Sequence, residues 1–228
     1  MTEVVVRRVD FGYFVRPAEE TQTGSPRVEP CLGYLVGHPQ GMLLFDTGMG
    51  SDPEVDAHYR PHRAGLREAL AAVGAGTSDL SIAANCHLHF DHCGGNPLLG
   101  PIPVFVQRAE LDAARQTQDY TLPQLIEGSR FEPVSGEAEV LPGVFLMPTP
   151  GHTDGHQSLI VRQAGGAVIV AGQSHHTATQ FAADQLAWRA HRDGHGQPLP
   201  DIPDWIDALH RFDPRIVYFA HDRCIWTP

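Results

Sequence analysis

Three histidines and an aspartate fall within six consecutive residues, His-Leu-His-Phe-Asp-His, from His87 to His92. Imidazole and carboxylate are ligands of zinc and its first-row neighbours, so His87, His89, Asp91 and His92 form a candidate metal-binding loop. A catalytic site also needs ligands from elsewhere in the chain. Three segments can supply them, each at the end of an apolar run. MPTPGHTDGH carries His152, VIVAGQSHH carries Gln173, His175 and His176, and IVYFAHD carries His221. Isolated histidines such as His38, His58 and His195 read as ordinary scatter. The chemistry such a cluster offers is hydrolytic: a metal ion lowers the pKa of its bound water and polarises a carbonyl or phosphoryl oxygen.

Those residues need a framework. Short β-branched or apolar runs recur as EVVVRRV, LGYLV, MLLF, SIAA, PVFV, VFLM, SLIV, AVIV and IVYF, bounded by Gly, Pro or Asp, which is the signature of strands. Helical stretches lie between them. In AGLREALAAVG, Leu66, Leu70 and Val73 share one face and Gly74 stands at the stop. QRAELDAARQ follows the strand at Val104, and PDWIDALHRFDP puts Trp205, Leu209 and Phe212 on one side. Two polar loops are expected, Arg16–Pro30 and Arg192–Pro203. There is no repeat and no linker long enough to divide the chain, so a single layered α/β domain over residues 1–228 is expected.

Bulk properties narrow the partners. A chain of 228 residues that is 42% hydrophobic can bury a sizeable core. The net charge is −11 and all 16 basic residues are scattered arginines, so neither nucleic acid nor an anionic membrane is an expected partner. No apolar run approaches the ~18 residues of a membrane span, and the opening MTEVVVRRVDFGYF lacks the apolar core of a signal peptide. Cys31, Cys86, Cys93 and Cys224 show no paired spacing, which fits free thiols in a reducing cytoplasm.

The motif HLHFDH resembles the H-x-H-x-D-H signature of the metallo-β-lactamase fold hydrolases. FDTGMG (Phe45–Gly50), TPGHTDGH (Thr149–His156) and FAHD (Phe219–Asp222) resemble that superfamily's other blocks, in the same order. VQRAELDAA, TPGHTDGHQSL and the closing HDRCIW are similar to the N-acyl homoserine lactonase branch. The resemblance implies a four-layer αβ/βα sandwich with the metal site at one edge between two mixed sheets. It implies two divalent ions, zinc by preference: His87, His89 and His152 on the first, Asp91, His92 and His221 on the second. Asp46 would orient a ligand histidine through its distal N–H, with a turn-forming aspartate as the alternative. His156 would support its loop, and Cys86 and Cys93 would be small buried thiols.

Two positions depart from the pattern. The family usually bridges its two ions with an aspartate where this chain has Gln173, a neutral side chain. With Asp91 and a hydroxide as the remaining anions, two divalent ions would carry about +2 instead of about +1. The second ion could then be lost, His175 or His176 could serve as an extra ligand, or Gln173 could hold only the water; two ions with the second held more loosely is the favoured reading. Where the lactonase branch usually has a tyrosine, this chain has His176, an imidazole that can donate to a developing oxyanion or act as general acid. Asp91 and His176 are therefore the catalytic candidates.

The substrate expected is a lactone of N-acyl homoserine type or a related ester, opened by a metal-bound hydroxide. The alternatives are a thioester, a phosphotriester or a β-lactam, a non-haem iron redox site, or a non-hydrolytic binding protein. Tyr13, Phe14, Tyr120 and Trp188 are candidates for the pocket wall or for ordinary packing. The oligomeric state, a homodimer included, is open.

Overall fold

Alternation along the strands decides the framework. In β2 (Arg27–His38), Leu32, Tyr34 and Val36 point to one side while Cys31 and Leu35 point to the other. In β3 (Gly41–Phe45), Leu43 and Phe45 oppose Leu44 in the same way. Strands apolar on both faces demand cover on both faces.

The computed structural model describes residues 4–21 and 23–228, and its strands form two sheets. The larger runs in the order β4 (His62–Arg63), β1 (Val5–Arg16), β2, β3, β5 (Leu80–Ala84), β6 (Val104–Gln107), β7 (Phe131–Val134). The smaller runs β12 (Pro214–Tyr218), β11 (Gly166–Val170), β10 (Gln157–Gln163), β9 (Val144–Pro148), β8 (Ala138–Leu141). Both are mixed: β3, β5, β6 and β7 run parallel beside an antiparallel β1–β2–β3 meander, and only β11–β12 is parallel in the smaller sheet.

The inner faces meet through Leu32, Tyr34, Leu43 and Phe45 against Leu146, Leu159, Val161 and Val168. Outside the larger sheet, α2 (Leu66–Ala72) packs Leu66 and Leu70 on Val9, Leu35 and Leu44. Outside the smaller sheet, α5 (Ala178–Arg192) and α6 (Trp205–His210) bring Phe181, Ile206 and Leu209 onto Ile160, Ile169 and Val217. This is the expected four-layer αβ/βα sandwich. Each fully buried Leu, Ile, Val or Phe contributes roughly 1.5–3 kcal/mol, so the two outer helical layers are as necessary as the inter-sheet core. No helix of the described residues is long and apolar enough to cross a membrane.

All nine expected strands and three expected helices are present. Strands β4, β7 and β8 and helices α1 (Pro53–Tyr59), α4 (Pro123–Glu127) and α5 were not anticipated. The omission of α5 matters most, because it is the longest helix. A buried Gln185 beside a 66% exposed Leu186 blurs its apolar stripe. Its start was nevertheless readable: Thr177 accepts from the Gln180 backbone and Gln180 accepts from the Thr177 backbone, a reciprocal cap with the T-x-x-Q spacing. The first polar loop is shorter than expected, since β1 runs to Arg16 and pairs it with Arg27 at the start of β2. Glu3 of the first apolar run and Gln22 of that loop lie outside the described residues.

At one edge the two sheets are tied by backbone. The Leu32 N–H donates to Ala220 O (3.0 Å) and the Gln157 N–H to Cys86 O (2.8 Å), each bond crossing from one sheet to the other. The ends of β3, β5, β9, β11 and β12 converge there.

Candidate metal centre

His87–His92 leaves the end of β5 as a tight turn held against the Asp46–Gly50 segment. Thr47 N donates to His92 O (2.8 Å), Gly50 N to Phe90 O (2.7 Å) and Gly94 N to Gly48 O (2.8 Å). A Cβ on Gly94 would lie 2.1 Å from Gly50 N, so the two segments can approach this closely only with glycine there. The His152 loop is held from two sides. Trp205 Nε1 donates to Pro150 O (2.9 Å), and Thr153 Oγ1 donates to Glu110 Oε2 (2.7 Å).

These constraints gather the six expected ligand residues into two neighbouring trios, His87–His89–His152 and Asp91–His92–His221, each with donor atoms mutually within 4.8 Å. In the first, His89 Nδ1 and His152 Nε2 face each other at 3.2 Å, and the buried Nε2 of His87 has no hydrogen-bond partner. In the second, His92 Nε2 and His221 Nε2 are 3.1 Å apart, with Asp91 Oδ2 3.5 Å from the former and 3.4 Å from the latter. The rings of His87 and His92 lie 4.1 Å apart and join the trios.

The far sides of these rings explain why the lone pairs converge. His221 donates from Nδ1 to Pro30 O (2.9 Å), leaving Nε2 free. His92 donates from Nδ1 to Asp46 Oδ2 (3.0 Å). Asp46 ends β3 in the left-handed region, φ 62°, a conformation that aspartate tolerates better than most side chains. Its other oxygen accepts from Cys86 N (2.8 Å). Both expected roles of Asp46, the orienting carboxylate and the turn residue, are therefore played by one side chain. His156 is fully buried, hydrogen-bonded through Nδ1 to Thr149 O (3.0 Å) and accepting at Nε2 from Gln173 N (3.1 Å), so it fixes the loops and contributes to neither trio.

Electrostatics separates the two trios. Burial, followed by neighbouring histidines, pushes His87 well down and His152 down to about 2; burial also lowers His89. His221 is lowered to about 4, again by burial first. His92 is the exception. Burial opposes its charge, but the Asp91 and Asp46 carboxylates outweigh that and raise it to about 9. Burial would raise Asp91, yet His92, His221 and His89 hold it well below the usual carboxylate range. Imidazoles that are neutral at every position but His92, one ionised carboxylate, an orphaned Nε2 and two opposed Nε2 atoms form a donor set that fits divalent ions of the zinc type once His92 gives up its proton.

Gln173 follows β11 with its Oε1 3.1 Å from His92 Nε2, at the second trio. The option of His175 as an extra ligand is corrected: its Nε2 lies 3.0 Å from Asp184 Oδ2, and its ring packs on Phe181 and Trp205, away from the site. His176 stays close, with its ring 6.2 Å from that of His152 and a buried Nδ1 without a partner. Burial lowers its pKa, so it is neutral near pH 7 and suited to donating a hydrogen bond.

Residues 26–221 match the metallo-beta-lactamase superfamily. The chain belongs to that superfamily. Among its metallo-beta-lactamase relatives, the N-acyl homoserine lactonase of Bacillus cereus is 32% identical over 210 residues, 85% of this chain and 81% of that protein. A solved N-acyl homoserine lactone hydrolase with the product N-hexanoyl-L-homoserine at its catalytic metal centre superposes with a TM-score of 0.77 and 25% identity, covering 98% of this chain and 95% of that one. The dizinc quorum-quenching lactonase AidC shares the fold, with a TM-score of 0.68 and 15% identity over 96% of this chain and 87% of that one.

The metallo-beta-lactamase site opens on a cavity of about 500 Å³ reached by His89, Asp91, His152 and Gln173 and walled by Phe14, Tyr59, Phe90 and Tyr120. Of the candidate wall aromatics, Phe14 and Tyr120 line this cavity. Tyr13 lines a second one of about 490 Å³, beside His176 and His221. Trp188 packs between α5 and α6, where it stacks on His210 and donates to Asp207. Half-buried Arg16 and buried Glu29 pair at 2.9 Å, Arg16 lining the first cavity and Glu29 the second.

One supporting residue had no sequence role. Glu110 is fully buried at the start of α3 (Arg108–Gln116) and accepts from Leu88 N (2.8 Å), Thr153 and Tyr120. It ties the loop of His87 and His89 to the loop of His152. The only hint was an acidic residue opening a helix straight after a strand.

Proposed function

We propose that this chain is a hydrolase that opens a lactone, an N-acyl homoserine lactone or a close ester, with two zinc ions held by His87, His89 and His152 and by Asp91, His92 and His221. The observation that carries the reading is the pair of adjacent trios at the floor of a cavity with an aromatic wall. When bound, the ions supply a water of lowered pKa and polarise the substrate carbonyl. The cavity takes the acyl chain against Phe14, Tyr59, Phe90 and Tyr120, and excludes water from it. His176, as neutral imidazole, donates a hydrogen bond to the ester oxygen that carries the developing charge. Asp91 keeps its carboxylate ionised beside the reacting centre, where it holds a water by hydrogen bond for proton transfer to the leaving oxygen. In the net reaction, OH from water adds to the acyl carbon and H to the ring oxygen, giving a hydroxy acid.

Gln173 sets the metal content. A neutral amide beside His92 leaves the two ions less compensated than a carboxylate would, so the ion at Asp91–His92–His221 is the looser of the two. The buried free thiols Cys31, Cys86 and Cys93 fit a cytoplasmic setting, where ring opening would serve quorum quenching on a small-molecule signal.

The test is a substrate panel on the zinc-loaded protein, followed by NMR or acid release: N-hexanoyl homoserine lactone, a thioester, a phosphotriester and a β-lactam. Preferred turnover of the lactone is expected; preferred turnover of any other would replace the substrate, and no turnover with two ions bound would sink the hydrolase reading. Elemental analysis in limiting zinc is expected to give about one ion per chain in wild type, rising toward two in Gln173→Asp.

A further inference from the structure

Three cysteines are buried, and two of them use the thiol in an ordinary way. Cys31 donates to Asp91 O (3.0 Å), and Cys93 lies against Leu88 O (3.4 Å) and His89 O (3.3 Å), so both fasten backbone. Cys86 differs. Its Sγ is 3.2 Å from His87 Nδ1, 3.2 Å from His92 Nδ1 and 3.1 Å from Asp46 Oδ2. It touches one histidine of each trio, on the side turned away from the convergent lone pairs.

The two histidines do not depend on it equally. His92 Nδ1 already has the Asp46 carboxylate at 3.0 Å. For His87 Nδ1 the sulfur is the hydrogen-bond contact the structure provides. If Nε2 of His87, which has no partner, is the ligating atom, Nδ1 must carry the proton and must donate it to something. The sulfur accepts that proton's hydrogen bond and passes its own S–H on to Asp46, giving the chain His87 Nδ1–H to Sγ–H to Asp46 Oδ2. Packing holds the sulfur there. A Cβ on Gly172, which sits at φ 59°, would lie 2.4 Å from Cys86 Cβ and 2.9 Å from Sγ, so the neighbouring sheet closes on the thiol with no room to spare.

We propose that Cys86 is the positioning residue for the His87–His89–His152 ion: its thiol fixes the tautomer of His87 and links it to the Asp46 carboxylate that orients His92. This rests on the two-metal reading. It assigns the ions different supports, a thiol behind one and a carboxylate behind the other. Loss of such a supporting partner costs 10–100-fold in metal affinity, and the loss should fall on one ion.

The experiment is cadmium-113 NMR on the fully loaded chain, with competition against a chromophoric chelator, for wild type, Cys86→Ala and Cys86→Ser. Two resonances are expected in wild type. In Cys86→Ala one shifts and its ion weakens by about 10–100-fold, while the other stays within about threefold. Cys86→Ser, which keeps a donor and an acceptor, restores most of the loss. Unchanged affinities in Cys86→Ala, equal weakening of both ions, or a serine variant as damaged as the alanine one would overturn the proposal. Should Cys86→Ala fail to fold, nitrogen-15 NMR of wild-type histidines decides: Nδ1 of His87 must be protonated in the loaded protein, and a deprotonated Nδ1 overturns the proposal. Wild type that binds no metal removes the two-metal reading and this one together. Wild-type binding with an indifferent Cys86→Ala removes this one alone.

Discussion

The two trios are near neighbours made from almost the same side chains, yet they differ in proton state at one residue, His92. His87, His89 and His152 are all pushed toward neutrality, so an ion can enter without displacing a proton. In the other trio the Asp91 carboxylate supplies charge, but Asp91 and Asp46 together keep a proton on His92 up to about pH 9. A carboxylate that attracts a metal ion also attracts the proton that competes with it. Each trio offers three donors, and the charge of Asp91 alone would rank the second higher; the proton held on His92 makes the first the readier site at neutral pH.

The comparison breaks most visibly at its ligands. His152→Ala removes one ligand from the first trio and is expected to drop lactone turnover to background, with metal content falling by one ion per chain. Retained turnover with one ion remaining would mean that the second trio works alone. The proton difference gives a sharper prediction. Binding of the looser ion should tighten about tenfold per pH unit between pH 7 and 9, because each ion that enters expels the His92 proton, whereas the tighter ion should change little. Chelator competition at several pH values measures both, and parallel slopes would refute the assignment.

The metal-free protein should show the same contrast in its stability. His152 and His221, with His156 behind them, have folded pKa values of about 2, 4 and 3, below the ordinary 6.5. Below pH 6.5 the unfolded chain therefore takes up protons that the fold refuses, and stability falls as pH drops toward that range. His92 is raised, so its contribution is complete below 6.5 and lost as pH climbs through about 9. Denaturant midpoints of the stripped protein should thus peak near neutrality, and a flat profile would contradict the proton states. The smallest effect is expected from Glu110→Gln, which weakens hydrogen bonds to Leu88, Thr153 and Tyr120 behind the first trio only. A loss of about 1–3 kcal/mol, read as a lower melting temperature with both ions still bound, fits that role; loss of the looser ion would not.

Much of this was legible from local pattern. Strands flagged by β-branched runs are present because the composition of a short run and the Gly, Pro or Asp that bounds it are local properties. Helix α5 escaped because tertiary burial of Gln185 and exposure of Leu186 overrode its periodicity. Strands β7 and β8 escaped for a related reason: FEPV and AEVL interleave charge with apolar residues, and only pairing with β6 and β9 makes them strands.

By itself, the sequence determined which residues could ligate a metal, because His, Asp and their spacing are covalent facts, and it pointed to a layered α/β framework through its apolar runs. It also marked Gln173 as a neutral side chain where the resemblance leads one to expect an aspartate. Only the tertiary structure decided which way each of these residues faces. His175 and His176 are adjacent in the chain, yet one turns onto Phe181, Trp205 and Asp184 of the α5–α6 layer and the other stays by His152. Cys86 and Glu110 likewise gained their contacts from the convergence of strand ends of both sheets. Hydrogen bonds between positions tens of residues apart depend on distance in space, which residue spacing does not encode.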